Sequence, residues 1–299
     1  MSKNKVKTLP ESTKDRIYLL LNYSYLWIAL IIVIYPLIYV VSASFSTGNA
    51  VIAGKVWLYP VDFTLNGYKF IFQNSQILTG YLNTFIYTTV GTIINVVLTV
   101  MIAYPLSRKF FYGRSVIMVF IVFTMLFSGG LIPFFLTVRA LGMLDTRWAM
   151  WIPNAVGVWQ LIIARTFFQS SIPEDLSEAA DMDGCSDIRF VLSIVVPLSK
   201  PIIAVTTLMY AVFHWNSFFN ALIFLRSPEL FPLQIILRNL LILQTTLQVT
   251  SVFQDLILEG IRDTIRFSLI VVASAPILAL YPFIQKYFVK GVLIGAIKG

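Results

Sequence analysis

The sequence predicts an all-α polytopic membrane protein with six transmembrane helices. Two observations support this fold class: the chain is 58% hydrophobic, and its charged residues leave six long gaps. A helix needs about 20 mostly apolar residues to cross the hydrocarbon core of a bilayer. The uncharged segments run over residues 17–54, 70–107, 115–138, 148–164, 201–225 and 267–285. A soluble core could hide one such segment, but six indicate spans whose backbones satisfy their own hydrogen bonds.

The spans follow in order from these gaps. The first, about 25–45, is longer than the apolar part of a secretory signal peptide, which has about 7–15 residues, so it is expected to remain in the protein. Spans two and three cover about 81–106 and 115–137. Span four covers about 148–168, and span five, about 191–214, carries Pro197 and Pro201 near its start. The sixth span covers about 266–288.

Basic residues flank the spans and set their orientation. The net charge of +8 comes from Lys and Arg spread along the chain rather than from one soluble basic face, so it does not indicate nucleic-acid binding. Cytoplasmic loops are enriched in these residues. The N-terminus, the link between spans two and three, and the C-terminal tail are therefore predicted to lie inside. Their basic residues are Lys3, Lys5, Lys7, Lys14, Arg16, Arg108, Lys109, Arg114, Lys286, Lys290 and Lys298.

The predicted organisation is a cytoplasmic tail, 1–24, a six-helix transmembrane domain, 25–288, and a second cytoplasmic tail, 289–299. Within the domain, 169–190 forms a cytoplasmic loop and 216–265 an external one. Residues 230–254 are fairly apolar but contain several polar residues. A seventh span there would place the lysines of the C-terminal tail outside, so an external helix and loop is the better interpretation.

Several kinds of chemistry are absent. The chain has one histidine, His214, predicted to lie at the interface beside Trp215, and one cysteine, Cys185, predicted to be a small space-filler. Nucleophilic triads and His-based metal sites need histidine in most versions, and the single one here is placed at the predicted outer end of span five. The segment 48–56 does not fit the phosphate-binding P-loop spacing. No carboxylate or lysine lies in mid-span, which argues against an ion-coupled carrier. No catalytic residue, metal site or cofactor is expected in this chain.

The loop 169–190 is unusually acidic, with six of the fourteen Asp and Glu residues between Glu174 and Asp187. Ser171 is predicted to cap a short helix with Pro173 in its first turn, and two acids follow at its positive end. Small Ala179 and Ala180 allow another surface to approach, and Gly184 allows a turn. A solvated acidic loop is one interpretation. Membrane insertion does not require acids, so a protein partner is the other.

Glu178-Ala179-Ala180, Asp183-Gly184, Ile194 and Pro197 resemble the EAA motif, Glu-Ala-Ala-x-x-x-Gly-x(9)-Ile-x-x-Pro. This motif characterises the permease subunits of bacterial ATP-binding-cassette (ABC) importers. The surrounding residues and the tail 283–299 resemble the MalG-type subunit of maltose-like carbohydrate importers, with Cys185 where the family usually has Ala. The resemblance implies the type I importer permease fold, with a cytoplasmic coupling helix, in the inner or plasma membrane of a bacterium.

The resemblance also implies partners and residue roles. The coupling helix would sit in a cleft of one of two separate ATPase subunits, which bind ATP and Mg and hydrolyse ATP, so this chain is not itself an enzyme. A second permease subunit and an extracytoplasmic sugar-binding protein would complete the importer. The residues implied in ATPase coupling are Glu174, Glu178, Ala179, Ala180, Asp183, Gly184 and Pro197.

The oligosaccharide contacts are less sharply indicated. Sugars are held by aromatic faces and by side-chain hydrogen bonds. Candidates by residue type are Trp215, Asn216, Asn220, Asn83 and Gln160, with Asn95 also polar within a span. The alternative is that these residues pack helices. Two other functions stay open: an ABC importer permease for a non-sugar solute, and an ATP-independent carrier or channel.

Overall fold

The computed structural model describes residues 12–242 and 261–296, and every regular element in these ranges is helical. A π turn, Val191–Val195, links α10 to α11, and a 3₁₀ turn, Pro228–Leu230, precedes α14. The helices are α1 (Thr13–Ser44), α2 (Gly48–Ile52), α3 (Asn66–Gln73), α4 (Ser75–Ser107), α5 (Arg114–Leu126), α6 (Leu131–Ala140), α7 (Trp148–Trp151), α8 (Val158–Ser171), α9 (Glu174–Met182), α10 (Asp187–Phe190), α11 (Val196–Leu198), α12 (Lys200–Trp215), α13 (Phe219–Phe224), α14 (Leu233–Ile242) and α15 (Ile261–Ala296).

The described residues contain two to four candidate membrane spans. Helices α1 and α4 are long and apolar enough to cross alone. At 1.5 Å per residue each is about 50 Å long, against a hydrocarbon core of about 30 Å. Two bent pairs, α5 with α6 and Asp187–Leu198 with α12, meet the same criterion when each pair is taken as one span. The membrane character is therefore clear, and the six-span count and the orientation stay predictions.

The described chain divides into two compact units, each containing part of α15. The first unit holds the described residues up to Ile71 together with 261–272. Its α1 begins at a capping box. The Ser12 hydroxyl accepts backbone N–H groups of the first turn, and the Asp15 carboxylate accepts the backbone N–H of Ser12. Most of α1 is exposed, and only its last residues, Ser42, Ala43 and Ser44, are buried. An apolar helix with this exposure is typical of contact with lipid or another subunit.

Small residues join the elements of the first unit. Ser268 and Thr264 of α15 donate hydrogen bonds to the carbonyls of Ser44 and Ser46, at 3.0 and 2.9 Å. Gly67 of α3 lies against Ser268 so closely that a Cβ at this position would be 2.3 Å from the serine Oγ. A glycine is needed here because any side chain would separate α3 from α15.

The second unit holds the described residues from Phe72 to 242 and from Ala273 onward, and α4 packs against several of its other helices. Towards the end of α4, Val100, Ala103 and Tyr104 join a core with residues of α8 and α12. Nearer its start, Tyr87 packs with Trp151 and with residues of α13 and α14. The second unit is therefore organised around one long helix.

The segment predicted as the third span, about 115–137, is sharply bent. The segment forms α5 and α6, which meet at an angle of 115°. Gly130 between them has φ of +84° and precedes the first residue of α6. Glycine adopts this positive φ readily, and as the N-cap of α6 Gly130 redirects the chain after α5, which has already ended at Leu126.

The segments predicted as spans four and five are also interrupted. In span four, residues 152–157, with Pro153 and Gly157, separate α7 from α8. In span five the chain bends by 85° at Ser199. Proline lacks an N–H donor and its ring excludes the carbonyl of the residue four positions earlier. Pro197 and Pro201 on either side of Ser199 therefore produce the π turn and the bend.

Asp145 joins two loops of the second unit. Its Oδ1 accepts the backbone N–H groups of Arg226 and Ser227 at 2.8 and 2.9 Å, and its Oδ2 accepts the Ser227 hydroxyl at 2.5 Å. Hydrogen bonds hold the pKa of Asp145 below its ordinary value. The bond from the Ser227 hydroxyl has the largest effect, and the two backbone N–H groups add to it. Hydrogen bonds to the charged form have this effect.

We expect Asp145→Asn to lower the stability of the protein by about 1 kcal/mol at pH 7, because a charged acceptor of three hydrogen bonds is lost. A carboxyl whose folded pKa is lowered adds stability above its ordinary pKa of about 4 and loses this contribution as pH falls through the folded value. The difference between variant and parent should therefore shrink as the pH drops below about 4. Thermal unfolding in detergent at several pH values measures it.

Asp62→Asn is the matched control. Asp62 shares the left-handed backbone of Asp145, with φ of +52° against +56°. It is exposed, and among the described residues its carboxylate has no hydrogen-bond partner. A loss of stability by both variants that is equal and independent of pH would contradict the role given to Asp145.

Candidate functional site

The acidic loop contains the short helix predicted for it, with a different cap. Ser171, predicted to be the N-cap, is instead the last residue of α8, and Pro173 occupies the N-cap position of α9. Ile172 is extended, since the residue before a proline disfavours helical geometry. Proline also fixes its own φ near the value that α9 needs. Glu174 and Asp175 lie in the first turn as predicted, beside the positive helix end.

A tight turn ends α9. Asp183 is its C-cap, and Gly184 has φ of +70°. The N–H of Cys185 donates to the carbonyl of Ala180 at 2.9 Å and closes the turn. A residue with a Cβ is strained at this φ, so the predicted role of Gly184 as a turning point is confirmed.

The two faces of α9 differ in exposure. Ser177 and Ala180 are buried against the same unit, and Ala180 joins the core that contains Ile172 and Phe190. Glu178 and Ala179 point the other way and are exposed. One alanine of the motif therefore packs inside the chain, and the other is accessible from outside.

Exposed apolar side chains lie among the acids of this loop. Met182 is 89% exposed at the end of α9, and Ile188 is 75% exposed in α10. Leu176 is also exposed. Apolar groups surrounded by carboxylates are typical of a protein interface with a basic or polar partner.

Arg108 and Arg165 join the C-terminal ends of α4 and α8, directly before α9. Arg108 follows α4 and is 1% exposed. Its guanidinium donates to the carbonyls of Ile172 and Phe168 at 3.1 and 3.5 Å, at the C-terminal end of α8, and lies over the Tyr104 ring. Arg165 of α8 donates from Nε to the carbonyl of Leu106 at 2.9 Å. Each arginine donates to carbonyls at the end of the other helix, where a cation is also favoured by the helix dipole.

The sequence did not lead us to predict this capping role of Arg108. Arg108 was counted only among the basic residues of the predicted cytoplasmic side. A signal was present, because Arg108 directly follows a predicted helix end and a positive side chain there can cap carbonyls. The neighbouring Lys109 forms an ion pair with Glu174 at 3.1 Å, and both side chains are partly or largely exposed. Such surface pairs contribute little to stability.

The remaining residues implied in coupling lie near the bend of span five or at the end of α9. Asp183 is exposed at the C-cap of α9, and Pro197 is exposed within α11. The buried side of the acidic loop thus packs against the rest of the chain. Its exposed side carries Glu178, Ala179 and Met182.

Two of the predicted sugar-binding residues are engaged inside the second unit. Asn83 is 2% exposed and donates from Nδ2 to the carbonyls of Glu229 and Phe231 at 2.7 and 3.2 Å. Trp215 is buried, and its Nε1 donates to the carbonyl of Ala273 at 2.9 Å. Both side chains join neighbouring elements in this conformation. Arg147 donates to the Oδ1 of Asn83 at 3.4 Å.

The other three candidates are more accessible. Asn216 is exposed after α12, and Asn220 and Gln160 are partly exposed. Their role in sugar binding stays a prediction. His214, expected at the interface, is instead 2% exposed and bonds Asn95 at 2.7 Å. The expectation of an interfacial histidine is wrong because α4 and α12 cover the ring. Among the described residues, no three His, Cys, Asp or Glu side chains form a candidate metal site.

We expect Arg108→Ala to destabilise the protein by about 2 kcal/mol or more, because buried carbonyls at the end of α8 lose their donor. Thermal unfolding in detergent measures this loss. Lys109→Gln is the adjacent control and should change stability by less than about 0.5 kcal/mol. Equal effects of the two substitutions would contradict the capping role of Arg108.

Comparisons with known proteins identify relatives along nearly the whole chain. The polygalacturonan/rhamnogalacturonan transport system permease protein YtcP of Bacillus subtilis is 41% identical over 286 residues, which cover 96% of this chain and 100% of YtcP. The galactooligosaccharides transport system permease protein GanQ of the same organism is 31% identical over 96% of this chain and 98% of its own length. No family model matches the sequence.

A solved structure shares both the fold and the sequence. It is a chain of a bacterial ABC transporter involved in the import of the acidic polysaccharide alginate, with a TM-score of 0.87 and 37% identity. The match covers 94% of this chain and 100% of that chain. This chain is therefore a member of the family of permease proteins of bacterial carbohydrate ABC transport systems.

Proposed function

We propose that this chain is one of two permease subunits of an ATP-driven importer in the bacterial plasma membrane, and that its cargo is an oligosaccharide delivered by an extracytoplasmic binding protein. In this proposal residues 25–288 cross the membrane six times, and the tails 1–24 and 289–299 lie in the cytoplasm. The loop 169–190 couples the chain to an ATPase subunit, and 216–265 faces the binding protein.

The observation that carries the proposal is the two-faced helix α9. Its inner face, Ser177 and Ala180, is buried in the chain, and Arg108 holds the preceding turn. Its outer face presents Glu178, Ala179 and an exposed Met182. A short helix attached firmly on one side can transmit a displacement applied to the other side.

The proposed motor is a pair of separate ATPase subunits, each binding ATP and Mg. No cofactor is assigned to this chain. Closure of the two ATPases on ATP would move α9 and its counterpart in the second permease, and the cavity would change from inward-open to outward-open. ATP drives the change because it binds one state of the ATPases more tightly than the other.

The cargo that the relatives favour is an acidic oligosaccharide. Polygalacturonan and alginate are both polyuronates, and the permeases named for them are more similar to this chain than GanQ is. Arginines suit this cargo, since a guanidinium binds a carboxylate through two hydrogen bonds. Arg147 and Arg226 lie in or beside external loops, and Arg238 lies in α14 over the Phe218 ring. Asn216, Asn220 and Gln160 are the proposed polar contacts.

Two alternatives predict different behaviour. An ABC permease for a non-sugar solute would show ATP-driven uptake without response to saccharides. An ATP-independent carrier or channel would transport without ATP as long as a solute gradient exists.

The orientation can be tested with the single cysteine. Cys185 is unpaired and partly exposed beside the turn after α9. The proposal expects a membrane-impermeant maleimide to label it in inside-out vesicles and not in intact cells. Tyr59→Cys in a Cys185→Ser background should show the opposite pattern, since Tyr59 is 79% exposed in the proposed external segment. Labelling of Cys185 from outside would reject the orientation.

The coupling role is tested with the complete importer in proteoliposomes. We expect Glu178→Ala to reduce ATP-driven uptake of an oligogalacturonide by about tenfold or more, because a charged group is removed from the ATPase interface. Asp62→Asn, which removes an exposed acid outside the loops 169–190 and 216–265, is the control and should retain uptake. A neutral galactooligosaccharide in the same assay compares the two cargo classes. Full uptake by Glu178→Ala would refute the coupling role.

A further inference from the structure

The interruption of span four, residues 152–157, has an unusual set of hydrogen-bond partners. These residues separate α7 from α8 and include Pro153 and Gly157. Backbone groups that leave a helix inside a membrane need partners in the protein, because the surrounding lipid offers none. Side chains of α4 and α12 supply two such partners.

The first connection is the Asn95 bridge. Asn95 of α4 is fully buried, and its Nδ2 donates to the carbonyl of Asn154 at 2.6 Å. Its Oδ1 lies 2.7 Å from Nε2 of His214 in α12. Since Oδ1 can only accept, Nε2 carries the hydrogen. One amide therefore joins α4, the interruption and α12.

The second connection is the Tyr210 bridge. The hydroxyl of Tyr210 in α12 accepts the backbone N–H of Gly157 at 3.1 Å. The same hydroxyl lies 2.7 Å from Oγ1 of Thr99 in α4. Its own hydrogen remains available for Thr99. One phenol therefore joins the same three elements at the other end of the interruption.

The two bridges repeat at matched helical spacing. Asn95 and Thr99 are four residues apart on α4, and Tyr210 and His214 are four residues apart on α12, so each pair lies on one helix face. The helices approach closely at this face. A Cβ on Gly91 would lie 2.5 Å from Nε2 of His214. The contact therefore requires glycine on α4.

The bridges lie on the path from α9 to the interruption. In the chain, α9 stands between α8 and α12, and the inner ends of α8 and α4 are joined by Arg108 and Arg165. A displacement of α9 would act on α8 and α12 together. An unsupported six-residue interruption would absorb that displacement by bending, whereas one fixed at Asn154 and Gly157 to α4 and α12 would move with them.

On this basis, and resting on the proposed function, we infer that Asn95 and Tyr210 are positioning residues for transport. They hold the interruption of span four so that movement of α9 reaches it. They touch neither ATP nor the ATPase surface of α9, so their loss should separate ATP hydrolysis from uptake. A purely structural role would lower both activities together through poorer assembly.

The test uses the complete importer in proteoliposomes and a substitution that keeps shape. Thr99→Val removes the hydroxyl that pairs with Tyr210, and Thr99→Ser retains it. We expect Thr99→Val and Tyr210→Phe each to reduce ATP-driven uptake of an oligogalacturonide by roughly two- to thirtyfold, while ATPase activity stimulated by the binding protein stays within about twofold. Thr99→Ser should restore uptake. Tyr112→Phe, at a side chain that is 99% exposed, is the control for loss of a phenol hydroxyl.

Three outcomes overturn the inference: unchanged uptake in Thr99→Val and Tyr210→Phe, equal losses of uptake and ATPase activity, or no recovery with Thr99→Ser. Combining the two substitutions should add little to Tyr210→Phe alone, because Tyr210→Phe already removes the Thr99 contact together with the Gly157 contact. Additive losses would also contradict it. Failure of the proposed function gives a different result, namely no ATP-driven uptake by the parent importer.

Discussion

The structure depends on one requirement: backbone groups released where a helix ends or breaks must find partners within the protein. Helix α4 meets this requirement along much of its length. Near its start, Asn83 donates to carbonyls of the segment before α14, and the Thr84 hydroxyl accepts the N–H of Leu233 at 2.8 Å. Further along, Asn95 bonds the interruption of span four. Just beyond its end, Arg108 caps α8. A single long helix thus supports the irregular parts of the second unit.

Under the proposed function, the same connections explain how α9 transmits movement to the rest of the second unit. The described chain has polar side chains that join helices, and an acidic helix that is buried on one face and open on the other. A rigid connection from α4 through α8 to α9 makes the exposed carboxylates a point at which an external force can act. The membership of the chain in the carbohydrate ABC permease family agrees with this interpretation.

The interruptions also change the meaning of several polar residues. Asn83, Trp215 and His214 have side chains that suit sugar binding or an interface, yet each bonds a neighbouring element in this conformation. Residue type alone cannot distinguish these roles, because the same donor can satisfy a ligand or a free carbonyl. Asn216, Asn220 and Gln160 have more accessible side chains and remain better placed for contact with a solute.

The amino-acid sequence by itself determined the class of the protein, since long uncharged segments leave a chain little choice but helices in a membrane. It also determined the acidic helix and its turn at Gly184, because acids, proline and glycine act over a few residues. Only the tertiary structure decided where spans three, four and five break and which side chains meet the breaks. Asn95 and Asn154 are 59 positions apart, and Thr99 and Tyr210 are 111 apart. Such pairs arise from helix packing, which local sequence patterns do not encode.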